Sequence, residues 1–111
     1  MKYLLLIRAD GMPAPEELAV MQRELPGWVE QVDGRGVRLF GRELDLPETA
    51  AMVRVRDGEM LVTDGPFAET KEQVAGFNVL TCPSLAEAVE IASRHPTARI
   101  GTFELRPFAQ G

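Results

Sequence analysis

Lys2-Tyr3-Leu4-Leu5-Leu6-Ile7 is the first apolar run of the chain, and Arg8 and Asp10 end it. A run of this length without polar alternation has the form of a strand covered on both faces. Side chains alternate along a strand, so Tyr3, Leu5 and Ile7 share one face and Leu4 and Leu6 the other. Both faces are apolar, and both need a cover. The run is too short to supply the apolar region of a secretory signal, and no stretch of about 18 apolar residues follows it. The reading therefore expects neither a signal segment nor a transmembrane span.

Outward from that strand, the period of the apolar residues changes. Pro15 suits the first turn of a helix, and Glu16 and Glu17 favour its positive end. Leu18, Met21, Leu25, Val29 and Val32 then recur at three- and four-residue spacing, predicting one helical face up to Asp33-Gly34. Pro26 removes a backbone donor and crowds the preceding turn, so a kink or a fresh helical start is expected near Leu25-Pro26. Trp28, beside this stripe, reads as packing in a core or interface in preference to ligand stacking. Val37-Arg38-Leu39-Phe40 starts a strand that reaches past Gly41 towards Leu44, and Leu46-Pro47-Glu48 is connection.

Met52-Val53-Arg54-Val55-Arg56 alternates with period two, Asp57-Gly58 follows, and Met60-Leu61-Val62-Thr63 resumes the pattern. This is a hairpin signal, because Asp-Gly accepts the positive backbone angles that match sheet twist. Val74 to Cys82 is the next strand, with Phe77 and Val79 on one face and Asn78 and Leu80 on the other; Gly76 marks a bulge or a close backbone approach. Ser84 and Glu87 form a capping-box pattern ahead of the stripe Leu85, Ala88, Val89 and Ala92, which Pro96 stops. Ile100 to Phe108 is the last strand.

The order is strand, helix, strand, hairpin, strand, helix, strand: two β-α-β units with a hairpin between them. It predicts an α+β domain spanning residues 1–111, with an antiparallel or mixed sheet carrying both helices on one face. Two helices cover one face only. The second face of the first strand then needs another subunit's sheet, which predicts a homodimer.

Composition sets the outer limits. The chain has 111 residues, 45% of them hydrophobic, enough for one domain and too few for two ordinary ones. Its 17 acidic and 12 basic residues give a net charge of -5, and the basic residues are scattered. A nucleic-acid or anionic-membrane surface needs a basic field, so neither partner is expected. Cys82, the single cysteine, rules out an intrachain disulfide and reads as a small buried hydrophobe in a reducing compartment. One histidine and one cysteine without close spacing do not compose a zinc site, and Gly34-Arg35-Gly36 follows a helix where a phosphate loop would open one. No cofactor is expected.

The candidate site lies in Asp64-Gly65-Pro66-Phe67-Ala68-Glu69-Thr70-Lys71-Glu72-Gln73, a polar turn between two apolar runs. Asp64, after a strand and before a glycine-proline turn, is placed to accept a proton or orient a ligand, or else to cap the turn locally. Phe67 is able to anchor the loop, and Glu69, Thr70 and Lys71 to line a pocket in which Lys71 counters an anion. His95 has the ordinary pKa for proton transfer near neutrality. It also precedes Pro96 at the negative end of a helix, where a charged imidazole is favoured. Arg54, Arg56, Arg99 and Arg106 are available to clamp a carboxylate or to pair with the acidic excess.

Three segments together resemble the YCII-related family, in particular its DGPF-domain branch. They are Lys2 to Ile7; Val53 to Gly58 with Val62 to Phe77; and Pro96 to Pro107. The resemblance implies a ferredoxin-like unit that pairs into a dimeric α+β barrel, usually a small cytoplasmic bacterial protein. For the wider family it implies acid-base chemistry through a histidine-aspartate pair. Many relatives carry a histidine in the first helix; here Glu16 to Val32 contains none, and the only histidine is His95. Two classes of function stay open. One is a small enzyme without a tightly bound cofactor, a lyase, isomerase or monooxygenase-like catalyst using Asp64 and His95. The other is a non-catalytic dimeric module that binds a small molecule or a protein.

Overall fold

Tyr3 and Leu5 sit at the centre of a buried cluster, because the strand that carries them is flanked on both edges. The computed structural model describes residues 1–9, 13–65 and 73–109. Its elements are β1 (Lys2–Ala9), α1 (Pro15–Gly34), β2 (Arg38–Glu43), β3 (Ala51–Arg56), β4 (Glu59–Asp64), β5 (Gln73–Thr81), α2 (Leu85–Ser93) and β6 (Thr102–Pro107). Short 3-10 turns at Pro47–Thr49 and Pro96–Arg99 precede β3 and β6.

The main sheet has the order β2-β5-β1-β6, with every neighbouring pair antiparallel. With the hairpin set aside, this is the ferredoxin-like arrangement, and the α+β expectation holds. Both helices lie on one face. Trp28 and Val32 of α1 and Ala88, Ile91 and Ala92 of α2 close over Tyr3, Leu5 and Leu80. Trp28 Nε1 donates to the Ile91 carbonyl at 3.0 Å and ties the two helices together. The helix starts follow the sequence signals: the Glu17 carboxylate accepts from the Ala14 amide, and Ser84 Oγ accepts from the Glu87 amide.

Two features differ from expectation, and a third, at Gly76, takes one of its two expected forms. α1 runs through Pro26 without a fresh start. One missing backbone bond does not end a long helix whose far half is held by Trp28 and Val32 in the core. The final strand begins at Thr102, later than Ile100, because Pro96–Arg99 forms a turn and Ile100 and Gly101 donate back to Thr97. The bulge falls at Ala75, where the β1 register moves from Gly76 to Val74. Gly76 beside it is the close approach, since a Cβ there would lie 3.1 Å from the Arg42 carbonyl.

β3 and β4 form a separate two-stranded sheet joined at Asp57 (φ 54°) and Gly58 (φ 76°), the left-handed pair that a tight hairpin requires. The hairpin stands away from the main body. The chain has a radius of gyration of 16.0 Å, against about 13 Å for a compact domain of this length.

Candidate functional site

Asp64 is the last residue of β4, opposite Ala51. Gly65, with φ 79°, then turns the chain, and its amide returns to the Ala50 carbonyl at 2.6 Å. The alternation of β4 places Asp64 on the same side as Met60 and Val62, exposed, and its carboxylate has no hydrogen-bond or ion-pair partner among the described residues. Phe67, Glu69, Thr70 and Lys71 lie outside the described residues.

His95 occupies a different setting from the helix terminus foreseen for it. α2 ends at Ser93, and the imidazole turns inward, 5% exposed, between Trp28 at 4.6 Å and Phe103 at 5.0 Å, both edge to face. Its Nδ1 accepts from the Thr97 amide at 3.1 Å and so caps the Pro96–Arg99 turn. Burial lowers its pKa to about 4, so the ring is neutral at pH 7 with its proton on Nε2. The charged imidazole favoured by a helix dipole is therefore not what the fold uses. Aromatic packing and an amide donor to Nδ1 both select the neutral form.

Asp64 and His95 are not brought together: the rings and amide around His95 come from α1, β6 and the 3-10 turn, none from the hairpin. The arginines divide similarly. Arg106 pairs with Glu104 at 3.1 Å, and Arg99 pairs with Glu24 of α1. Cys82 is buried, and burial followed by the Glu87 charge raises its thiol pKa, leaving an unreactive side chain.

One polar cluster escaped the sequence reading. Arg38 Nε donates to Asn78 Oδ1 at 2.8 Å, Nη1 to Asp33 at 3.1 Å and Nη2 to the Gly41 carbonyl at 3.1 Å. Asn78 is buried, and a Cβ on Gly41 would lie 2.0 Å from its Oδ1. A glycine inside an otherwise regular strand was the available signal. The cluster fastens the end of α1 to β2 and β5 through the three donating nitrogens of Arg38.

Two apolar grooves flank the 3-10 turn. One, of about 420 Å³, lies between Leu85 and Val89 of α2 and Phe103 and Leu105 of β6. The other, of about 320 Å³, lies between Val20 and Met21 of α1 and Pro96 and Ile100. Neither includes Asp64 or His95. Among the described residues no group of three His, Cys, Asp or Glu side chains is placed to hold a metal ion, and no helix is long and apolar enough to cross a membrane.

With this arrangement established, comparison assigns the class. The family model described as the YCII-related domain matches residues 1–110, and the chain belongs to that family. It is similar to the uncharacterized protein R00369 of Rhizobium meliloti (strain 1021), with 48% identity over 67 residues, 58% of this chain and 54% of the relative. The match thus spans about half of that relative's length. Among solved structures it is similar to 5-chloro-2-hydroxyhydroquinone dehydrochlorinase from Burkholderia phenoliruptrix AC1100, determined in complex with 2,5-dihydroxybenzoquinone. The TM-score is 0.55 at 13% identity, covering 100% of this chain and 96% of that one. The likeness bears on the fold.

Proposed function

We propose that the protein is a cytoplasmic homodimer acting as a cofactor-independent enzyme on a small molecule, with Asp64 and the loop after it as the substrate-facing site. The observation that carries this is the carboxylate of Asp64 at a glycine turn, without a partner among the described residues. An exposed aspartate that neither caps nor pairs within the described chain is available to accept a proton or a substrate hydroxyl. His95 stands apart from this site: buried and neutral, it holds the Pro96–Arg99 turn and packs against Phe103 of β6.

The dimer in this reading stacks two copies of the main sheet. The face opposite the helices carries Leu4, Leu6, Phe77 and Val79 in register, with Phe40 opposite Val79. Phe40 is 48% exposed, and both helices pack on the other side. A second sheet is the cover of matching shape.

A second reading, a non-catalytic binding module, is favoured by one observation: the only histidine is buried in an aromatic setting, so no histidine base stands near Asp64. A thermal-shift screen separates the two and tests the site. Small hydroxyquinones, beginning with 2,5-dihydroxybenzoquinone, and aromatic carboxylates are the probes, on the parent and on Asp64→Asn. Ligands that stabilise the parent and not the variant support the site, and their turnover followed by absorbance supports the enzyme. Stabilisation shared equally by both proteins refutes a ligand role for Asp64.

A further inference from the structure

The hairpin displays a run of exposed apolar side chains in addition to the open face of the main sheet. The β3–β4 register pairs Val53 with Val62 and Val55 with Met60, and residues paired across strands share a side. Val53 and Val55 are each 60% exposed, Met60 67% and Val62 52%, whereas Leu4, Leu6, Phe77 and Val79 on the main sheet are only partly exposed. A two-stranded hairpin alone is marginal in water, and this one pairs with no other strand among the described residues. Four large apolar side chains displayed on one side of a protruding ribbon form the kind of patch that a partner covers.

We infer that the β3–β4 hairpin is a dimerisation arm, laying its apolar side against a second copy of the chain and carrying Asp64, which lies on that same side, onto the partner's surface. The inference rests on the homodimer proposed above and goes beyond it, since it makes the candidate site shared between copies. Continuity selects a second copy as the occupant. The arm leaves from Glu43 of β2 and returns to Gln73 of β5, the two strands that carry Phe40 and Phe77 of the open face. Leu44 and Leu46, both exposed, extend apolar surface along the way out.

The test uses the paired substitution Val53→Lys with Val62→Glu. Opposite charges across the strands keep the hairpin paired while removing its apolar side. Trp28 fluorescence reports that the helix-sheet core is intact. Sedimentation equilibrium reads the dimer dissociation constant, and hydrogen exchange of the amides from 51 to 64 is followed above and below it. If the arm is an interface, the paired variant weakens the parent dimer by more than about tenfold, and the parent's hairpin amides are protected only when it is dimeric. A parent dimer that resists the paired variant but is split by Phe77→Asp on the sheet face overturns the arm and leaves the stacked-sheet dimer standing. A parent that stays monomeric at millimolar concentration overturns both.

Discussion

The rings of Trp28 and His95 meet edge to face, 4.6 Å between centroids and 62° between planes, so the chain's single histidine sits against the indole that also joins the two helices. Phe103 closes the other side at 5.0 Å. The imidazole is thereby a packing element with one polar obligation, the Thr97 amide on Nδ1. Its proton affinity becomes a property of the fold's stability.

The pH dependence follows with a definite sign. Burial lowers the folded-state pKa of His95 to about 4 from an ordinary 6.5, so between these values the unfolded chain binds more protons than the folded one. Stability contributed by the neutral ring is fully present above pH 6.5 and is lost as pH falls towards 4. The full loss is about 3 kcal/mol. Urea melts from pH 7.5 to 4.5 are expected to show a midpoint that falls with a slope of about one proton. A flat profile over that range would show the ring to be solvated.

His95→Gln should flatten that profile. Glutamine does not titrate, and it forfeits two edge-to-face contacts of about 0.5–1.5 kcal/mol each. The variant is expected to be folded but roughly 1–3 kcal/mol less stable at pH 7, with the gap to the parent narrowing as pH falls. The crossing of the two urea profiles is the measurement. If Asp64-dependent ligand binding survives the substitution with only a small change, His95 positions β6 and is not the base; a loss of about 10²–10⁴-fold in any rate found would make it one.

Gly41→Ala tests the polar cluster under α1. A methyl group there meets Asn78 Oδ1 at 2.0 Å and Arg38 Nε at 2.9 Å, and neither atom is the free end of a flexible chain, since each is bonded to the other. Overpacking of this kind costs about 1–3 kcal/mol. Combining it with Asn78→Ala, which vacates the space, should be less destabilising than the sum of the two single changes, read as a coupling in a double-mutant cycle. Strict additivity would place the clash elsewhere.

Much of the fold was legible because it rests on local period. The unbroken run Tyr3 to Ile7 marked the strand at the centre of the core, and Asp57-Gly58 marked the hairpin turn at the positive φ values found. The alternation of β5 separated Asn78 and Leu80 from Phe77 and Val79 as the structure does. What failed depended on distant partners. Pro26 argued for a kink or a fresh helical start, and no fresh start occurs, the helix around it being held by tertiary contacts of Trp28 and Val32. His95 looked like a helix-end cation, and nothing near it in sequence announced Trp28 or Phe103. The Arg38–Asn78 pair joins residues 40 apart in the chain, beyond any local pattern. For the candidate site, the sequence located Asp64 correctly at a strand end, while Phe67, Glu69, Thr70 and Lys71 lie outside the described residues.

Two exposed or half-exposed carboxylates allow the last prediction to separate a site from a scaffold. Glu104 accepts Arg8 at 3.0 Å and Arg106 at 3.1 Å on the open sheet face, an ion-pair group that solvent partly screens. Asp64 has no described partner. Measured below the dimer dissociation constant, Glu104→Gln should therefore lower stability by up to about 1 kcal/mol, less at high salt, as a surface pair of this kind does. Asp64→Asn should stay within about 0.5 kcal/mol of the parent at any salt concentration. Paired urea melts at low and high ionic strength measure both. A clear loss in Asp64→Asn would mean that the carboxylate holds the loop after it by accepting backbone amides, a replaced cap costing of order 0.5–2 kcal/mol. Asp64 would then be scaffold, and its charge would be withdrawn from the proposed chemistry.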